Sequence, residues 1–380
     1  NLSRGLGDVY KRQITKGEFV VLEVLKWDLE NRVIYFLAGG KEEGNPYFQY
    51  LYRVDFSGEN LKLLTPELGH HRINFSPDGS HFIDSYSQPD VPQVHELRNQ
   101  QGELIRVLEK TDVSRLEATG WKAPTPFTVR SANDRWDLYG VMHTPTQMES
   151  GKQYPVVLYI YPGPQGGSVR GWGFRSARGD HQALAELGFV VVALEGSCNP
   201  GRSKSFHDAC YGNMGENTLP DQVHGLKQLA EKYDFLDLDR VGVWGHSGGG
   251  FATAAAMFKY PDFFKVGISE SGNHDNRNYE DDWGERYIGL EVIDENGVSN
   301  YEHQANQTHA EHLKGKLMII HGGMDDNVPP YNSYLVADAL IKANKDFDFL
   351  LLPNARHGYG QDSNYIMRRR WDYFVQHLLG

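Results

Sequence analysis

The turn around Ser247 constrains the possible fold more than any other feature of this chain. The apolar run Val241–Trp244 predicts a short strand, G-x-S-x-G follows at Gly245–Gly249, and small residues at Phe251–Phe258 predict a helix. A serine in this pattern sits on a turn so tight that its backbone is strained and its hydroxyl projects freely. Glycine is needed on both sides because a Cβ there would collide with the neighbouring strand or helix. The segment therefore predicts an α/β architecture that presents Ser247 as a nucleophile.

Length and charge limit the classes of protein. A chain of 380 residues exceeds the usual size of one domain, which predicts two domains. No stretch approaches the roughly 18 consecutive apolar residues that a membrane-spanning helix needs. The formal net charge of -12 repels nucleic acid and anionic membrane surfaces. We therefore expect neither a nucleic-acid partner nor a membrane partner.

The first part of the chain, residues 14–116, carries β signals throughout. Short alternating runs form two groups of four strands, and turn sequences such as Ser76–Gly79 separate them. The groups are offset by about 48 residues, a repeat typical of β-propeller blades. Because a propeller usually closes with about four to eight blades, two blades predict either a propeller fragment, which we favour, or an open pair of sheets. Residues 1–13 are polar and patternless, and we expect them to be a non-native segment.

The second part of the chain has a different pattern of predicted secondary structure. After a proline-containing connector at residues 117–125, strands and helices alternate over residues 126–380. Apolar strands without alternation are expected to be buried on both faces, which predicts a parallel sheet covered by helices on either side. We therefore expect an α/β-hydrolase fold, a mostly parallel doubly wound sheet, preceded by two four-stranded β-propeller blades.

The last predicted helix, residues 364–379, has an apolar stripe along one side. We expect this stripe to pack in the core, with a homodimer surface as the alternative. The basic run Arg368–Arg370 in the same helix is expected to be solvated. The stripe consists of Ile366, Met367, Trp371, Phe374, Val375 and Leu378.

Two loops after Ser247 offer the other members of a catalytic triad. The apolar strand that ends near Ile320 leads to Asp325 and Asp326, and a later strand leads to His357. In an α/β-hydrolase the triad follows the order serine, acid, histidine, each after a strand. We therefore expect His357 to accept the proton of Ser247 and an aspartate to orient the imidazole. Asp325 is the favoured acid, and Asp326 stays open as the alternative.

A serine nucleophile also needs two donors for the oxyanion of the transition state. One is expected to be the backbone N–H of Gly248, directly after the serine. The second is expected in the segment Ile160–Pro164, which follows an early strand. Prolines in this segment lack an N–H, so the hydroxyl of Tyr161 is the better candidate, with plain packing of its ring as the alternative.

The remaining reactive side chains indicate no metal centre. No cluster of His, Cys, Asp and Glu has the spacing of metal ligands, and so the sequence implies neither a metal nor another cofactor. His246 and His321 are expected to be packed residues without a catalytic role. Cys198 and Cys210 lie close together in a loop-rich segment, where two free thiols and a disulfide both remain open.

With these residues in place, the chain resembles the prolyl oligopeptidase family of serine peptidases, and within it the dipeptidyl peptidase IV branch. The resemblance covers roughly residues 19–380 and is most specific in the second part. It implies that Asp325 is the triad acid, that Tyr161 is an oxyanion donor, and that the two blades end a propeller. Its motifs are Tyr161–Pro164, Gly245–Gly250, Glu285–Gly289, His321–Val328 and His357–Gly358.

The same resemblance implies a substrate site. Asn327 matches an asparagine that binds the carbonyl before the P1 residue, and Val328 follows it in the same motif. Tyr279 and Trp283 fall where two aromatic side chains line a small, proline-sized pocket. Trp283 departs from the usual tyrosine, and Asn276 stands where an aromatic residue is frequent. These two departures leave the size of the pocket open.

The sequence thus predicts a serine peptidase that cleaves a peptide substrate after proline or a small residue through an acyl-enzyme on Ser247. The alternative enzyme is a carboxylesterase-type serine hydrolase with an open active site, and the alternative outside enzymes is a catalytically silent binding protein. The paired glutamates that bind a free substrate N-terminus in this branch have no counterpart here, and the family's Gly-Arg-Gly-type loop differs at Glu195–Asn199. We therefore expect weak or absent strict dipeptide release. A periplasmic or secreted location is implied by the resemblance alone.

Overall fold

The computed structural model describes residues 12–380 and divides them into two compact units. The first unit holds the described residues up to Asp112, together with the short segments Trp172–Phe174 and Gly201–Ser203. The second unit holds the remainder from Val113 onward. The division therefore falls a few residues before the predicted connector. Of the predicted non-native segment, residues 1–11 lie outside the described part of the chain.

The first unit contains two antiparallel sheets of four strands each, which confirms the two predicted groups. The strands are β1 (Val20–Asp28), β2 (Val33–Gly39), β3 (Gln49–Asp55), β4 (Lys62–Leu63), β5 (His70–Phe75), β6 (His81–Ser87), β7 (Val94–Asn99) and β8 (Leu104–Lys110). Within each sheet the strands pair in chain order, β1 to β4 and β5 to β8. Consecutive pairing of this kind follows from the short turns between the strands.

Strand β2 lies at the centre of the apolar packing in this unit. All seven of its residues are buried, without the alternation of a strand that has one solvated face. Val33 of β2 belongs to a cluster that also contains Leu51 of β3 and Phe82 of β6, so the cluster contacts both sheets. The strands β1 and β8, by contrast, expose large apolar side chains, namely Val21, Leu22, Val24, Trp27, Leu104, Ile105, Val107 and Leu108.

Charged side chains cluster at the second of these sheets, and all of them are buried except Glu67, which precedes β5 and is partly exposed. Nη2 of Arg98 lies 2.6 Å from a carboxylate oxygen of Glu67 and 2.6 Å from one of Glu96. Nδ1 of His71 lies 2.8 Å from Asp84. Among the described residues, Glu67, Asp84 and Glu96 are the three carboxylates close enough together to share a cation. The guanidinium of Arg98 already lies among them, so this cluster is an internal ion-pair network.

The second unit contains eight strands and eight short or medium helices among the residues that the structure describes. Its strands are β9 (Thr125–Arg130), β10 (Asp137–His143), β11 (Tyr154–Tyr159), β12 (Val190–Leu194), β13 (Leu236–His246), β14 (Phe264–Glu270), β15 (Lys316–Gly322) and β16 (Asp348–Leu352). Its helices are α1 (Ser114–Glu117), α2 (His181–Glu186), α3 (Lys204–His207), α4 (Leu219–Lys232), α5 (Gly248–Lys259), α6 (Asp281–Tyr287), α7 (Tyr331–Lys342) and α8 (Ser363–Phe374). Within residues 12–380, none of the helices combines the length and the apolar character needed to cross a membrane.

All eight strands of this unit form one sheet in the order β16-β15-β14-β13-β11-β12-β10-β9. The six strands from β16 to β12 are parallel, and β10 and β9 are antiparallel to their neighbours. The predicted mostly parallel sheet is confirmed, whereas β9 and β10 were not predicted as strands. After β12, which pairs with one side of β11, the chain crosses to β13 on the other side of β11. This reversal is a switch point, next to which sites commonly form in open α/β sheets.

The parallel strands direct several candidate residues to one edge of the sheet. Because the carboxyl ends of parallel strands meet at the same edge, the loops that follow them lie side by side. Ser247 directly follows β13, and Tyr161 comes two residues after β11. Asp325 follows β15, and His357 follows β16. The topology therefore collects the predicted nucleophile, base, acid and oxyanion donor at this edge.

The C-terminal helix α8 packs differently from the prediction in one respect. Ile366, Phe374 and Leu378 of the apolar stripe are buried, which agrees with a core position. The predicted solvated run is wrong at its last member, because Arg370 is only 7% exposed. Its guanidinium forms hydrogen bonds of 2.9 Å to Glu270 and 2.7 Å to Asp180. Two carboxylates from distant parts of the chain therefore make its burial possible.

Replacement of Arg98 by methionine tests the ion-pair network of the first unit. Removing the cation leaves buried carboxylates without compensation, and we expect the free energy of unfolding to fall by about 3–5 kcal/mol. The matched control is Arg53→Met, since the pair between Arg53 and Asp55 is partly exposed with its atoms 3.6 Å apart. The control should lose less than about 1 kcal/mol. Urea unfolding followed by circular dichroism measures both, and equal losses would contradict the network.

Candidate active site

Ser247 occupies a sharp turn between β13 and α5. Its backbone is left-handed, with φ 61° and ψ -122°, and its N–H donates to the carbonyl of Glu270 at 2.8 Å. A Cβ on either Gly245 or Gly249 would lie 2.3 Å from the carbonyl oxygen of Ile160. Both glycines are therefore required by the close approach of neighbouring backbone. The strained turn directs the serine side chain away from the sheet, at the N-terminus of α5.

The two adjacent aspartates after β15 have different environments. Oδ2 of Asp325 lies 2.7 Å from Nδ1 of His357, and Asp325 is only 6% exposed. Asp326 is exposed and forms a 2.7 Å ion pair with Arg356. The spacing left both aspartates open and the resemblance implied Asp325, and the geometry brings Asp325 together with the histidine. Asp326 has the environment of a surface residue.

Asp325 is held by a set of donors on its own loop. The backbone N–H groups of Asn327 and Val328 donate to Oδ1 at 3.0 and 2.9 Å. Nε2 of His321 lies 3.3 Å from Oδ2. Burial acts to raise the pKa of Asp325, but the hydrogen bonds from His321, His357 and Val328 outweigh it and hold the pKa well below its usual range. The carboxylate is therefore ionised and fixed beside the imidazole.

His321 is a packed residue, as predicted, but it also supports the acid. It is fully buried at the end of β15, and its Nδ1 lies 2.7 Å from the hydroxyl of Ser333. Its Nε2 lies 3.0 Å from the carbonyl oxygen of Val328 as well as near Asp325. The sequence signal that could have indicated this role is the spacing of four residues to Asp325 across a tight loop.

The ring of His357 also contacts the ring of His246, the residue before Ser247. The two imidazole centroids are 4.6 Å apart. Nδ1 of His246 lies 3.7 Å from Glu270, which is almost fully buried and also accepts a hydrogen bond from Arg370. His246 is therefore a wall of the base site as well as a packed residue of the turn.

Tyr161 lies against the turn that carries Ser247. A Cβ on Gly248 would lie 3.9 Å from Cζ of Tyr161, so the phenol is in van der Waals reach of this backbone. The hydroxyl of Tyr161 accepts a hydrogen bond of 3.0 Å from Nε2 of Gln165, which leaves its own proton available to donate. Burial raises the pKa of Tyr161, so the phenol keeps that proton at neutral pH. The two predicted oxyanion donors thus lie next to each other.

The loop that carries Tyr161 is fixed by a buried carboxyl group that sequence reasoning did not assign. Glu195 accepts hydrogen bonds from the N–H groups of Ser168 and Val169 at 2.8 and 2.9 Å. The hydroxyl of Ser168 in turn accepts the N–H of Tyr161 at 3.0 Å. The sequence showed only that Glu195–Asn199 departs from the family pattern. Glu195 therefore connects β12 to the position of the candidate oxyanion donor.

A disulfide lies in the same loop region. Cys198 and Cys210 are joined, with their Cα atoms 5.9 Å apart, so the disulfide is the alternative that the structure contains. The neighbouring Asn199 donates to Glu195 and to the carbonyl of Gly166, both at 2.8 Å. The cross-link therefore restrains the segment that contacts the Tyr161 loop.

The predicted substrate residues form a connected group. The rings of Tyr279 and Trp283 lie with centroids 5.8 Å apart. The hydroxyl of Tyr279 donates to Asn327 at 3.4 Å. The indole N–H of Trp283 donates to Gln165 at 3.2 Å, and Gln165 donates to Tyr161. The structure thus links three of the four predicted substrate residues to the candidate oxyanion donor.

The fourth predicted residue, Val328, has a different environment. Its side chain is fully buried, and its backbone contacts Asp325 and His321. Asn276 is buried as well and accepts a hydrogen bond of 2.7 Å from Asn273. This pair of amides lies on the loop after β14, where the sequence comparison expected an aromatic side chain. This part of the loop therefore carries buried amides in place of the expected aromatic side chain.

Comparison with known families matches two models to this chain. The model of the prolyl oligopeptidase family matches residues 172–380. The model of the dipeptidyl peptidase IV N-terminal region matches residues 2–93. The first match is longer than half of the chain and contains Ser247, Asp325 and His357.

Individual relatives extend the same similarity to nearly the whole chain. Human dipeptidyl peptidase 8 is 31% identical over 362 residues, which cover 90% of this chain and 39% of that protein. A Bacteroides ovatus crystal structure assigned as a dipeptidyl aminopeptidase IV has a TM-score of 0.84 at 28% identity and covers 97% of this chain and 51% of its own. Porphyromonas gingivalis dipeptidyl peptidase 4 has a TM-score of 0.83 at 24% identity, with coverages of 97% and 52%. The chain therefore spans 39% to 52% of the length of these relatives.

Replacement of Glu195 by glutamine tests the buried carboxyl behind the Tyr161 loop. Burial raises the pKa of Glu195 to about 7 from an ordinary 4.5. The folded protein therefore binds this proton more tightly than the unfolded chain does, and its stability falls as pH rises from about 4.5 to about 7. Glutamine cannot lose a proton. Relative to wild type, the free energy of unfolding of the variant should therefore increase by about 3 kcal/mol between about pH 5 and about pH 8. Its melting temperature, relative to that of wild type, should rise over the same range.

Calorimetry at several pH values measures this difference, since the contributions of all other groups cancel between the two proteins. Glu231→Gln removes a carboxylate from an exposed position of α4 and serves as the matched control. A constant difference between Glu195→Gln and wild type across the pH range would contradict the expected titration.

Proposed function

Because this chain belongs to the prolyl oligopeptidase family, we propose that it is a serine peptidase that hydrolyses peptide bonds through an acyl-enzyme on Ser247. The observation that carries the proposal is the 2.7 Å contact of Asp325 with Nδ1 of His357, at the sheet edge that also bears the strained serine turn. The relatives named above are peptidases by name, and no specific observation supports the esterase alternative.

Acylation begins when the hydroxyl of Ser247 attacks the carbonyl carbon of the scissile bond. His357 accepts the hydroxyl proton at Nε2, because its Nδ1–H is engaged by the ionised Asp325. The imidazolium then protonates the leaving amine, and the first product departs. A water molecule repeats the sequence on the acyl-enzyme, with His357 again as base, and regenerates Ser247. His321 positions Asp325 throughout and does not touch the substrate.

The oxyanion of each tetrahedral intermediate receives two hydrogen bonds in this proposal. One comes from the N–H of Gly248, at the start of α5, and the other from the hydroxyl of Tyr161. Gln165 donates to the Tyr161 oxygen, which polarises the phenol and orients its proton toward the substrate. Glu195 supports the arrangement through the loop backbone.

On the substrate side, Asn327 binds the carbonyl that precedes the P1 residue through its amide N–H. This role is compatible with the contact of its Oδ1 with the hydroxyl of Tyr279, because that contact uses only the amide oxygen. Tyr279 and Trp283 line one side of a pocket for proline or a small side chain. Val328, which is fully buried, contributes by shaping the loop rather than by an exposed contact.

The names of the relatives support release of dipeptides from a peptide N-terminus as the activity of the longer proteins. For this chain, which spans 39% of human dipeptidyl peptidase 8, we propose a dipeptidyl-peptidase-like activity in which strict release of dipeptides is weak or absent. Small activated amides and esters should be hydrolysed measurably. Peptides are the proposed partners, and the net charge of -12 argues against nucleic acid.

A homodimer through the hydrolase part of the chain stays a prediction. Three members of the apolar stripe are buried, while Val375 and Leu379 at the C-terminal end are each 37% exposed. The exposed apolar side chains available for self-association therefore lie just beyond the end of α8, together with Tyr365 in its first turn. Light scattering at micromolar concentration measures the mass, and a monomer would contradict this proposal.

The paired aspartates provide a matched test of the triad. Asp325→Asn should lower the rate of labelling by a fluorophosphonate probe by about 10⁴-fold, since the histidine loses its orienting carboxylate. Asp326→Asn removes the same charge one residue away and should label at a rate close to wild type. Ser247→Ala should not label at all. Equal effects of the two asparagine variants, or labelling of Ser247→Ala, would contradict the assignment.

Tyr161→Phe tests the oxyanion donor. Loss of the hydroxyl should lower kcat for Gly-Pro-anilide by about 10²- to 10³-fold with little change in KM, because the hydrogen bond strengthens in the transition state. Tyr154→Phe is the control, since its hydroxyl accepts the N–H of Glu149 at the far end of β11. A Tyr161→Phe enzyme that changes KM alone would show that the phenol binds substrate rather than the oxyanion.

A further inference from the structure

The imidazole next to the candidate base is held by the neighbouring strand. His246, the last residue of β13, lies in register with Glu270, the last residue of β14. Nδ1 of His246 lies 3.7 Å from Oε2 of Glu270, and the backbone carbonyl of Glu270 accepts the N–H of Ser247 at 2.8 Å. A single residue of β14 therefore contacts both the candidate nucleophile and the residue before it.

Glu270 is itself fixed in the interior of the protein. It is buried, and Nε of Arg370 donates to its Oε1 at 2.9 Å. Arg370 also donates to Asp180 at 2.7 Å, and its guanidinium lies over the ring of Trp244 at 3.4 Å from the centroid. Burial acts to raise the pKa of Glu270, but Arg370 and His246 outweigh it and hold the pKa below its ordinary value. The carboxylate beside His246 is therefore a fixed negative charge.

Two aromatic contacts complete the surroundings of His246. The centroid of its ring lies 4.6 Å from that of His357 and 5.3 Å from that of Tyr359, two residues further along the same loop. Tyr359 is buried, and its hydroxyl lies 3.0 Å from that of Ser271, the residue after Glu270. The end of β14 and the loop that carries the candidate base therefore hold the ring of His246 against His357.

The contact with His246 supplies a restraint that Asp325 alone does not. The 2.7 Å contact between Oδ2 of Asp325 and Nδ1 of His357 fixes one atom of the imidazole, but the ring can still tilt about this hydrogen bond. A second ring packed against His357 limits that tilt. Proton transfer from Ser247 requires Nε2 of His357 within hydrogen-bond reach, so a small tilt lowers the rate.

From this geometry, and resting on the serine peptidase function proposed above, we propose that His246 is a positioning residue for the reaction. It holds the imidazole of His357 in the orientation that accepts the proton of Ser247, and Glu270 in turn holds His246. Both residues act through His357 rather than on the substrate. The neutral form of His246 is the active one, because an imidazolium at this position repels the imidazolium that His357 becomes during acylation.

Labelling of Ser247 by a fluorophosphonate probe measures this role without depending on peptide specificity. His246→Ala should label about tenfold more slowly than wild type, which is less than the roughly 10²-fold that a displacement of about 1 Å can cost. His246→Phe keeps a ring against His357 and should recover most of the rate at about pH 8, where an ordinary imidazole is neutral. With Gly-Pro-anilide, His246→Ala should lower kcat and leave KM nearly unchanged. His224→Ala, at an exposed position of α4, is the matched control and should keep the wild-type rate. Equal rates for wild type and His246→Ala, or a change in KM alone, would overturn the proposal.

A double-mutant cycle tests whether Glu270 acts through His246. Glu270→Gln keeps the shape of the side chain without its charge, and it should slow labelling in the wild-type background. In the His246→Ala background the same replacement should have no further effect, because the residue through which it acts is gone. Equal slowing in both backgrounds would overturn the link. Circular dichroism and melting temperature check the fold of every variant, and the pH comparison below needs no replacement of Glu270.

The pH dependence of labelling separates positioning from a merely structural role. Because a proton on either imidazole opposes transfer from Ser247, the rate for wild type should fall more steeply than for one proton as the pH is lowered. In His246→Phe only His357 remains, and the rate should fall as for a single proton. The charged and titratable groups that face this pair are Glu270, Arg370, Asp325 and Tyr359, and all of them are retained in His246→Phe. Identical acid limbs for the two proteins would overturn the proposal and leave the peptidase function untouched. A wild type that does not label at any pH would contradict the proposed function itself, and this inference with it.

Discussion

The contact between the carbonyl of Ile160 and the two glycines of the serine turn sets the geometry on which the rest of the site depends. Gly245 and Gly249 both lie too close to this oxygen to carry a Cβ, so the backbone just after β11 can approach the turn this closely only because both residues are glycine. Tyr161 is the next residue after Ile160, and the same contact therefore brings the phenol against Gly248. Backbone packing therefore brings the proposed nucleophile next to the proposed oxyanion donors, and the side chains of Ser168, Gln165 and Glu195 then fix the loop that carries Tyr161.

Buried carboxyl groups surround this centre, and each is stabilised by a different set of donors. Asp325 is surrounded by two backbone N–H groups and two imidazoles, Glu195 by two backbone N–H groups and an amide, and Glu270 by the guanidinium of Arg370 and an imidazole. A buried carboxylate without such partners would be strongly destabilising, so these groups fix the loops that meet at the edge of the sheet. The hydrogen bonds of Gln165 and Trp283 extend the same ordering to the substrate side.

Much of the fold could be predicted because it follows from local chemistry. Hydrophobic periodicity indicated all eight strands of the first unit, and the strand, glycine and helix pattern indicated the turn at Ser247, since both are properties of neighbouring residues. The chain order of Ser247, an aspartate and His357, which follow β13, β15 and β16, also restricted the topology. Strands β9 and β10 escaped prediction: they pair with each other, but only β10 joins the sheet, through β12, some 50 residues further along the chain.

The sequence by itself determined where the parallel strands end and which residue types follow them, because glycine sterics and burial of apolar runs act within a few residues. Only the tertiary structure decided which of two adjacent aspartates faces His357, since neighbouring loop residues point in different directions. It also decided that Arg370 is buried, because its two carboxylate partners lie 100 and 190 residues away in the chain. Glu195 acquired its role in the same way: its carboxyl accepts hydrogen bonds from backbone 26 and 27 residues earlier, and no local pattern reports a contact of that range.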